Sequence, residues 1–243
     1  MSRRTADRVP RATVVEVHDG GMRRFLRERS LSIVMLGAFL VIWLGGVTWS
    51  GHRTFNEEQV AHGEPTVSFD EYLTRAEFGE ATFENWESEF LQMGVYVLLT
   101  AWLVQKGSAE SKPPEGDPRL DEDPRPHRGD PDAPWPVRRG GWVLRMYEHS
   151  LSIALLSLFA LAFVGHLVTG ARAFNAEQAA HGDAPVSTIG YLVRSQFWFE
   201  SLQNWQSEFL AVGVLVILSV FLRQRGSPES KPVHAAHSTT GAE

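Results

Sequence analysis

The sequence predicts an all-α membrane protein: four transmembrane helices formed by two parallel, tandem helical hairpins. Three observations predict it. Two twenty-residue blocks carry almost no charge, two shorter apolar runs follow them behind aromatic residues, and the whole pattern occurs twice. The first block, Leu31 to Ser50, has no charged side chain; the second, Leu151 to Gly170, has His166 as its only ionisable group. A hydrocarbon core of about 30 Å takes about 20 helical residues at about 1.5 Å each, so both blocks fit a span. Phe90 to Val104 and Phe209 to Leu222 are shorter, but Phe83 and Trp86 lead into the first and Phe199, Leu202 and Trp205 into the second. Tryptophan favours the membrane interface, which extends both runs outward. A soluble bundle with buried helices is the competing reading, and uncharged stretches of this length disfavour it. About thirty residues precede the first block and the block recurs downstream, which argues against a cleaved signal peptide.

The repeat aligns residues 30–113 with 150–232. SLSI begins at Ser30 and Ser150, FNxEQxAHG at Phe55 and Phe174, YLxR at Tyr72 and Tyr191, NWxSEFL at Asn85 and Asn204, and GSxESKP at Gly107 and Gly226. Each copy holds an even number of spans, so both enter the membrane in the same direction and are related by an axis along its normal. Orientation follows the basic residues. Arg23, Arg24, Arg27 and Arg29 precede the first span, Lys106, Lys112, Arg138, Arg139 and Arg145 flank the middle, and Arg223, Arg225 and Lys231 follow the last. The two intervening loops hold only Arg53 and Arg75, then Arg172 and Arg194. Both termini and the middle segment are therefore expected on the cytoplasmic side of a cell membrane.

The segments then read as follows. Residues 1–29 form a basic cytoplasmic tail, mobile over 1–21. Repeat 1 covers 30–113, with spans at 31–50 and about 86–105 and an outer loop at 51–85. Residues 114–140, rich in proline, aspartate and arginine, read as a disordered linker, because they lack the apolar surface to offset the cost of ordering. Repeat 2 covers 141–232, with spans at 151–170 and about 205–223 and an outer loop at 171–204. Residues 233–243 form a loose tail. The outer loops carry helix signals of their own: Gly63 suits a helix stop, and Ser68, matched by Ser187 or Thr188, suits an N-cap. Gly107 and Gly226 suit C-terminal caps of the spans before them.

Three sets of residues are candidates for chemistry. On a helix Asn85, Ser88, Glu89 and Gln92 share one face, and Asn204, Ser207 and Glu208 repeat the stripe, with Ala211 in place of the glutamine. Counting back from Lys106 puts Glu89 roughly 25 Å along the helix, near the outer boundary of the core. A pseudo-symmetric polar pocket for a cation or proton, an interface cap anchored by Trp86 and Trp205, and a polar seam between helices all remain open. His62 and His181 form a second set, able to sense external pH or to join Glu58 and Glu177 on a metal, with a solvated helix end as the plainer reading. His166 is the third; Gly46 stands near its place in the first copy, and an interhelical hydrogen bond is the expected role.

The motifs NWESEF and NWQSEF, with KGSAESKP and RGSPESKP, resemble those of a bacterial family of uncharacterised membrane proteins, the domain of unknown function numbered 6766. The resemblance covers both repeats. It implies a prokaryotic membrane protein and brings no activity.

No cysteine is present, which excludes disulfides and thiolate metal sites. No phosphate loop, nucleophile elbow or dinucleotide fingerprint occurs, so neither catalytic residues nor a cofactor are expected. The net charge of -6 argues against nucleic acid as a partner. The expected partners are the bilayer, anionic lipid at the basic collar, and a second copy or another membrane protein. The resulting functional expectation is a non-enzymatic envelope or partner-binding membrane protein; the alternative is a small transporter or channel component using the two glutamate stripes.

Overall fold

The computed structural model describes residues 21–241, and among them it is helical with no strand. Four long helices organise it: α1 (Ser30–Ala61), α2 (Ala76–Trp102), α3 (Ser150–His181) and α4 (Ser195–Phe221). α1, α3 and α4 are long and apolar enough to cross a membrane. α2 matches α4 at 27 residues but differs in composition, since Glu77, Glu80, Glu84, Glu87 and Glu89 crowd its first half. The mobile tail expected over residues 1–21 lies outside the described residues, Gly21 apart, as do residues 242 and 243.

The chain divides into two compact units, one ending at Phe69 and one beginning at Asp70. In the first unit, α1 opens into a π-helical stretch at Val41–Val47 that contains Gly45 and Gly46. The wider turn there is followed by hydroxyl groups bonding back to the helix: Thr48 to the Leu44 carbonyl and Ser50 to that of Gly46 at 2.6 Å. At the far end Asn56 clamps Val67, accepting from its amide at 2.8 Å and donating to its carbonyl at 3.0 Å.

In the second unit α2 packs along α3, with α4 also against α2. Its polarity is inverted relative to a water-soluble bundle. The buried residues of α2 include Thr82, Glu87, Ser88 and Gln92, and those of its neighbours include His166, Ser201 and Ser219. Leu161, Val164, Leu210, Ile217 and Phe221 point outward and are exposed. Apolar surface on this scale needs a covering, and lipid supplies one without an entropic cost in water. Gly165 lets α2 and α3 approach closely: a Cβ there would lie 2.6 Å from the Phe83 ring.

The repeated motifs do local backbone work. Asn175 clamps Val186 as Asn56 clamps Val67, at 2.7 and 2.8 Å, and α3 ends on Gly182 with φ +76. At the other end, Ser111 accepts from the Gln105 amide at 2.9 Å and Ser230 from that of Gln224 at 2.8 Å. Gly107 and Gly226 do not cap helices. α2 stops at Trp102 and α4 at Phe221, the next residues are extended, and the glycines turn the chain later, with φ +88 and +85.

Two segments expected to be loose carry structure. Within 114–140 lie short helical turns at Pro118–Asp121, Arg125–Gly129 and Trp135–Arg139. Asp117 accepts from the Arg119 amide at 2.9 Å, and prolines preset the first turns. The tail beyond Pro232 folds back through Lys231, which is 1% exposed and donates to the carbonyls of Gly107 and Thr239 at 2.5 and 2.9 Å. Composition argues against a hydrophobic core in these segments, and it is silent about local polar ties of this kind.

Candidate functional site

Glu80, Glu84 and Glu87 stand at i, i+4 and i+7 of α2, which places them on one helix face. That face meets His166 of α3 and Glu200, Asn204 and Trp205 of α4, while the short helix Thr188–Leu192 adds Tyr191. His166 and Glu87 have no exposed surface. The imidazole lies between two carboxylates, with Nδ1 3.1 Å from Glu87 Oε2 and Nε2 3.4 Å from Glu200 Oε2. The other oxygen of Glu87 accepts from the Trp205 indole at 3.2 Å. Glu200 accepts from the Tyr191 hydroxyl at 2.7 Å and from Gln196 at 3.0 Å. Glu84 accepts from Asn204 at 2.6 Å and from Gln203 at 3.3 Å. Glu80 brings a carboxylate oxygen into the same place: ligand atoms of Glu80, His166 and Glu200 all lie within 4.8 Å of one another.

Aromatic packing seals one side. Phe197 is fully buried, with its ring 4.8 Å from that of His166 and 5.7 Å from that of Tyr191. Leu167 and Ala171 complete this small core. Gly170 makes the approach possible, since a Cβ there would sit 2.9 Å from the Tyr191 ring and 3.0 Å from a Glu80 oxygen.

The charges do not balance. Four carboxylates surround one imidazole, and among the described residues no lysine or arginine pairs with any of them. The consequence shows ahead of the apolar stretch of α2. Burial and then the Glu200 charge push Glu80 up to about 7, and burial raises Glu84. Burial and the bond to Glu200 hold the Tyr191 hydroxyl above its ordinary range, so it stays a donor.

Of the candidate polar residues singled out in the sequence, only His166 and Asn204 join this cluster, together with Trp205, expected there as an interface anchor. Glu89 is exposed and Glu208 half-buried, close enough for their charges to interact. Asn85 is exposed and donates to the Ala81 carbonyl of its own helix at 2.7 Å. Ser88 and Ser207 each bond back one turn, to Asn85 and Asn204, both at 2.8 Å, and Gln92 is buried elsewhere on α2. His62 and His181 are exposed, with Nδ1 turned onto the carbonyls of Glu58 and Glu177 at 2.8 and 2.9 Å. Those contacts close helix ends.

Sequence reading missed Glu80, Glu84, Glu87, Glu200 and Tyr191. A signal existed in the departures from the repeat. Phe199, Gln203 and Gln206 stand where the first copy has Glu80, Glu84 and Glu87, and Ala81 stands opposite Glu200. The acceptors of the cluster are therefore unrepeated, and donors from the second copy's motifs, Tyr191, Asn204 and Trp205, serve them.

The family model described as Domain of unknown function (DUF6766) matches residues 22–242. The chain belongs to that family. No curated protein and no solved structure matches it. The DUF6766 match spans α1 to α4, so it takes in every residue of the His166 cluster.

A second concavity lies at the exit turns, a cavity of about 870 Å³ lined in part by Thr100, Glu110, Lys112, Asp117 and Arg119. Lys112 pairs there with Asp121 at 2.8 Å and Arg119 with Asp117 at 2.8 Å, while Glu110 accepts from the Tyr96 hydroxyl at 3.0 Å.

Proposed function

We propose that this chain is a four-span membrane protein that takes a cation from the outer side into the His166 cluster, as a small transporter or channel component. The observation that carries the reading is His166, without exposed surface, held between Glu87 and Glu200 on helices whose outer faces are apolar. Ionisable groups inside membrane helices are costly and mark ion or substrate sites by default. α2 serves as the fourth span. Its apolar stretch runs from Phe90 to Trp102 and its polar face is turned inward, which suits a helix sheltered by its neighbours. The two hairpins are parallel copies with both termini and the proline-rich middle on the cytoplasmic side, as the basic residues require. His166 lies sixteen residues beyond Ser150, roughly 24 Å along α3. That depth puts the cluster near the outer boundary, within reach of external ions.

Catalysis forms no part of the reading, and no observation favours an envelope or partner-binding role over it. The test is cation flux in proteoliposomes containing the full chain. Wild type conducts or exchanges cations, and His166→Ala and Glu87→Gln/Glu200→Gln abolish the flux while Glu89→Gln/Glu208→Gln leaves it. Absence of flux in wild type, or flux indifferent to His166, overturns the transport reading and leaves a membrane protein with a structural polar seam.

A further inference from the structure

We propose that Glu80, His166 and Glu200 bind a divalent transition-metal ion, with Glu87 as the carboxylate that positions the imidazole. The inference deepens the cation reading by assigning the cation's class, and it rests on that reading only for what the ion is used for.

The first argument is the orientation of the ring. Glu87 can only accept when ionised, so its contact with Nδ1 at 3.1 Å places the imidazole proton on Nδ1. Nε2 faces Glu200 and Glu80, and it offers its lone pair to an ion that displaces the second ring proton. A carboxylate behind a ligating histidine is the arrangement that fixes the tautomer and raises the basicity of the ligand nitrogen. Glu87 is itself held by the Trp205 indole at 3.2 Å, so the ring has little freedom to turn away.

The second argument is the poverty of the alternative. At 3.4 Å, Nε2 and Glu200 are farther apart than a good N–H···O hydrogen bond, although the ring is fully buried. Glu80 makes no side-chain hydrogen bond among the described residues, yet it reaches into the cluster over Gly170. Two carboxylates and a ring nitrogen thus converge with only one long contact, Nε2 to Glu200, between them. An ion about 2.0–2.2 Å from each ligand sets tetrahedral neighbours about 3.4 Å apart. The observed separations, all within 4.8 Å, reach that by short side-chain movements.

The third argument is charge. A divalent ion neutralises Glu80 and Glu200, and no lysine or arginine among the described residues does so. One imidazole with carboxylates and no thiolate suits zinc, manganese or iron(II); magnesium and calcium take oxygen ligands and have no use for the ring. Tyr191 and Gln196 orient Glu200 from behind, at 2.7 and 3.0 Å.

The experiment is calorimetric titration of the chelator-stripped full chain in detergent with Zn²⁺ and Mn²⁺, and with Mg²⁺ as a control. One transition-metal ion per chain is expected, with Mg²⁺ failing to displace it at equal concentration. Glu80→Gln and His166→Gln weaken binding at least ~10-fold, Glu87→Gln weakens it ~10- to 100-fold through ring orientation, and Glu89→Gln leaves it unchanged. Because Glu80 makes no side-chain hydrogen bond among the described residues, its variant is expected to fold and stays informative even where His166→Gln does not. No saturable binding, binding unchanged in a folded Glu80→Gln protein, or equal competition by Mg²⁺ overturns the metal site. Stoichiometric metal binding without flux overturns only the transport reading, and His166-dependent flux without bound transition metal overturns only the metal assignment.

Discussion

The exit turns and the His166 cluster both bury polar groups, and they differ in how those groups are balanced. At the exit turns one cation meets neutral dipoles: Lys231 donates to carbonyls of Gly107, Ala236, His237 and Thr239 at 2.5 to 3.3 Å. Nearby, Lys112 and Arg119 each have an aspartate. Lys231, Lys112 and Arg119 each have acceptors there, and the result is a knot that ties the tail to the Gly107 turn. In the cluster four carboxylates crowd one imidazole, and among the described residues no lysine or arginine joins them. Buried polar groups that satisfy each other fix a structure, whereas a buried excess of one sign is relieved only by a proton or by a counter-charge from outside. The contrast separates scaffold from site more sharply than conspicuous motifs do.

Breaking the knot has the largest expected effect. Lys231→Met deprives several carbonyls of a charged donor, and we expect a loss of about 3 kcal/mol in tail docking. Hydrogen exchange should show residues 232–241 losing protection while α3 keeps its own; unchanged protection of the tail would erase the distinction between the two regions. Tyr191→Phe removes one donor to Glu200 and should cost about 1.5 kcal/mol, read as a lower Tm, with the loss partly recovered when Zn²⁺ takes over the carboxylate. Glu80→Gln carries the opposite sign. Relieving like-charge crowding should raise the Tm of the metal-free chain by an amount worth on the order of 0.5 kcal/mol, and the variant should gain little from added metal. A drop in its metal-free Tm would mean that the cluster is balanced after all.

The smallest effect is local and depends on pH. Hydrogen bonds from Arg119 lower Asp117, and the Lys112 bond lowers Asp121, below the ordinary aspartate range. Carboxyls depressed in the folded state stabilise it above their unfolded pKa, and that contribution is lost as pH falls through the folded value. The Pro118–Asp121 turn should therefore be intact at neutral pH and loosen only below the ordinary aspartate pKa, as followed by exchange of the Asp121 amide. Loosening near pH 6 would contradict the pairing.

Much of the frame was legible because apolarity over a helix length has one main physical meaning. Leu31 to Ser50 and Leu151 to Gly170 lie within α1 and α3, and the aromatic lead-in through Trp205 lies within α4. α2 was harder, since its glutamates look like the wet approach to a span, and only packing shows that Glu87 points inward. The His166 cluster was less legible for a related reason. Repetition drew attention to Asn85, Glu89, His62 and His181, yet most repeated polar residues serve nearby backbone, as Asn175 does for Val186. His166 and Glu200 lie 34 residues apart and Glu87 a further 79 from His166, so no local spacing announces their meeting. Propensity alone puts the exit glycines at helix caps, because it does not show that Leu103 and Leu222 leave the helix early.

X-ray absorption on the zinc-loaded full chain tests the central claim most directly. The account predicts a nitrogen and oxygen shell at about 2.0–2.2 Å with outer-shell scattering from a single imidazole, lost in His166→Gln. A spectrum without an imidazole, or one that His166→Gln leaves unchanged, would contradict it.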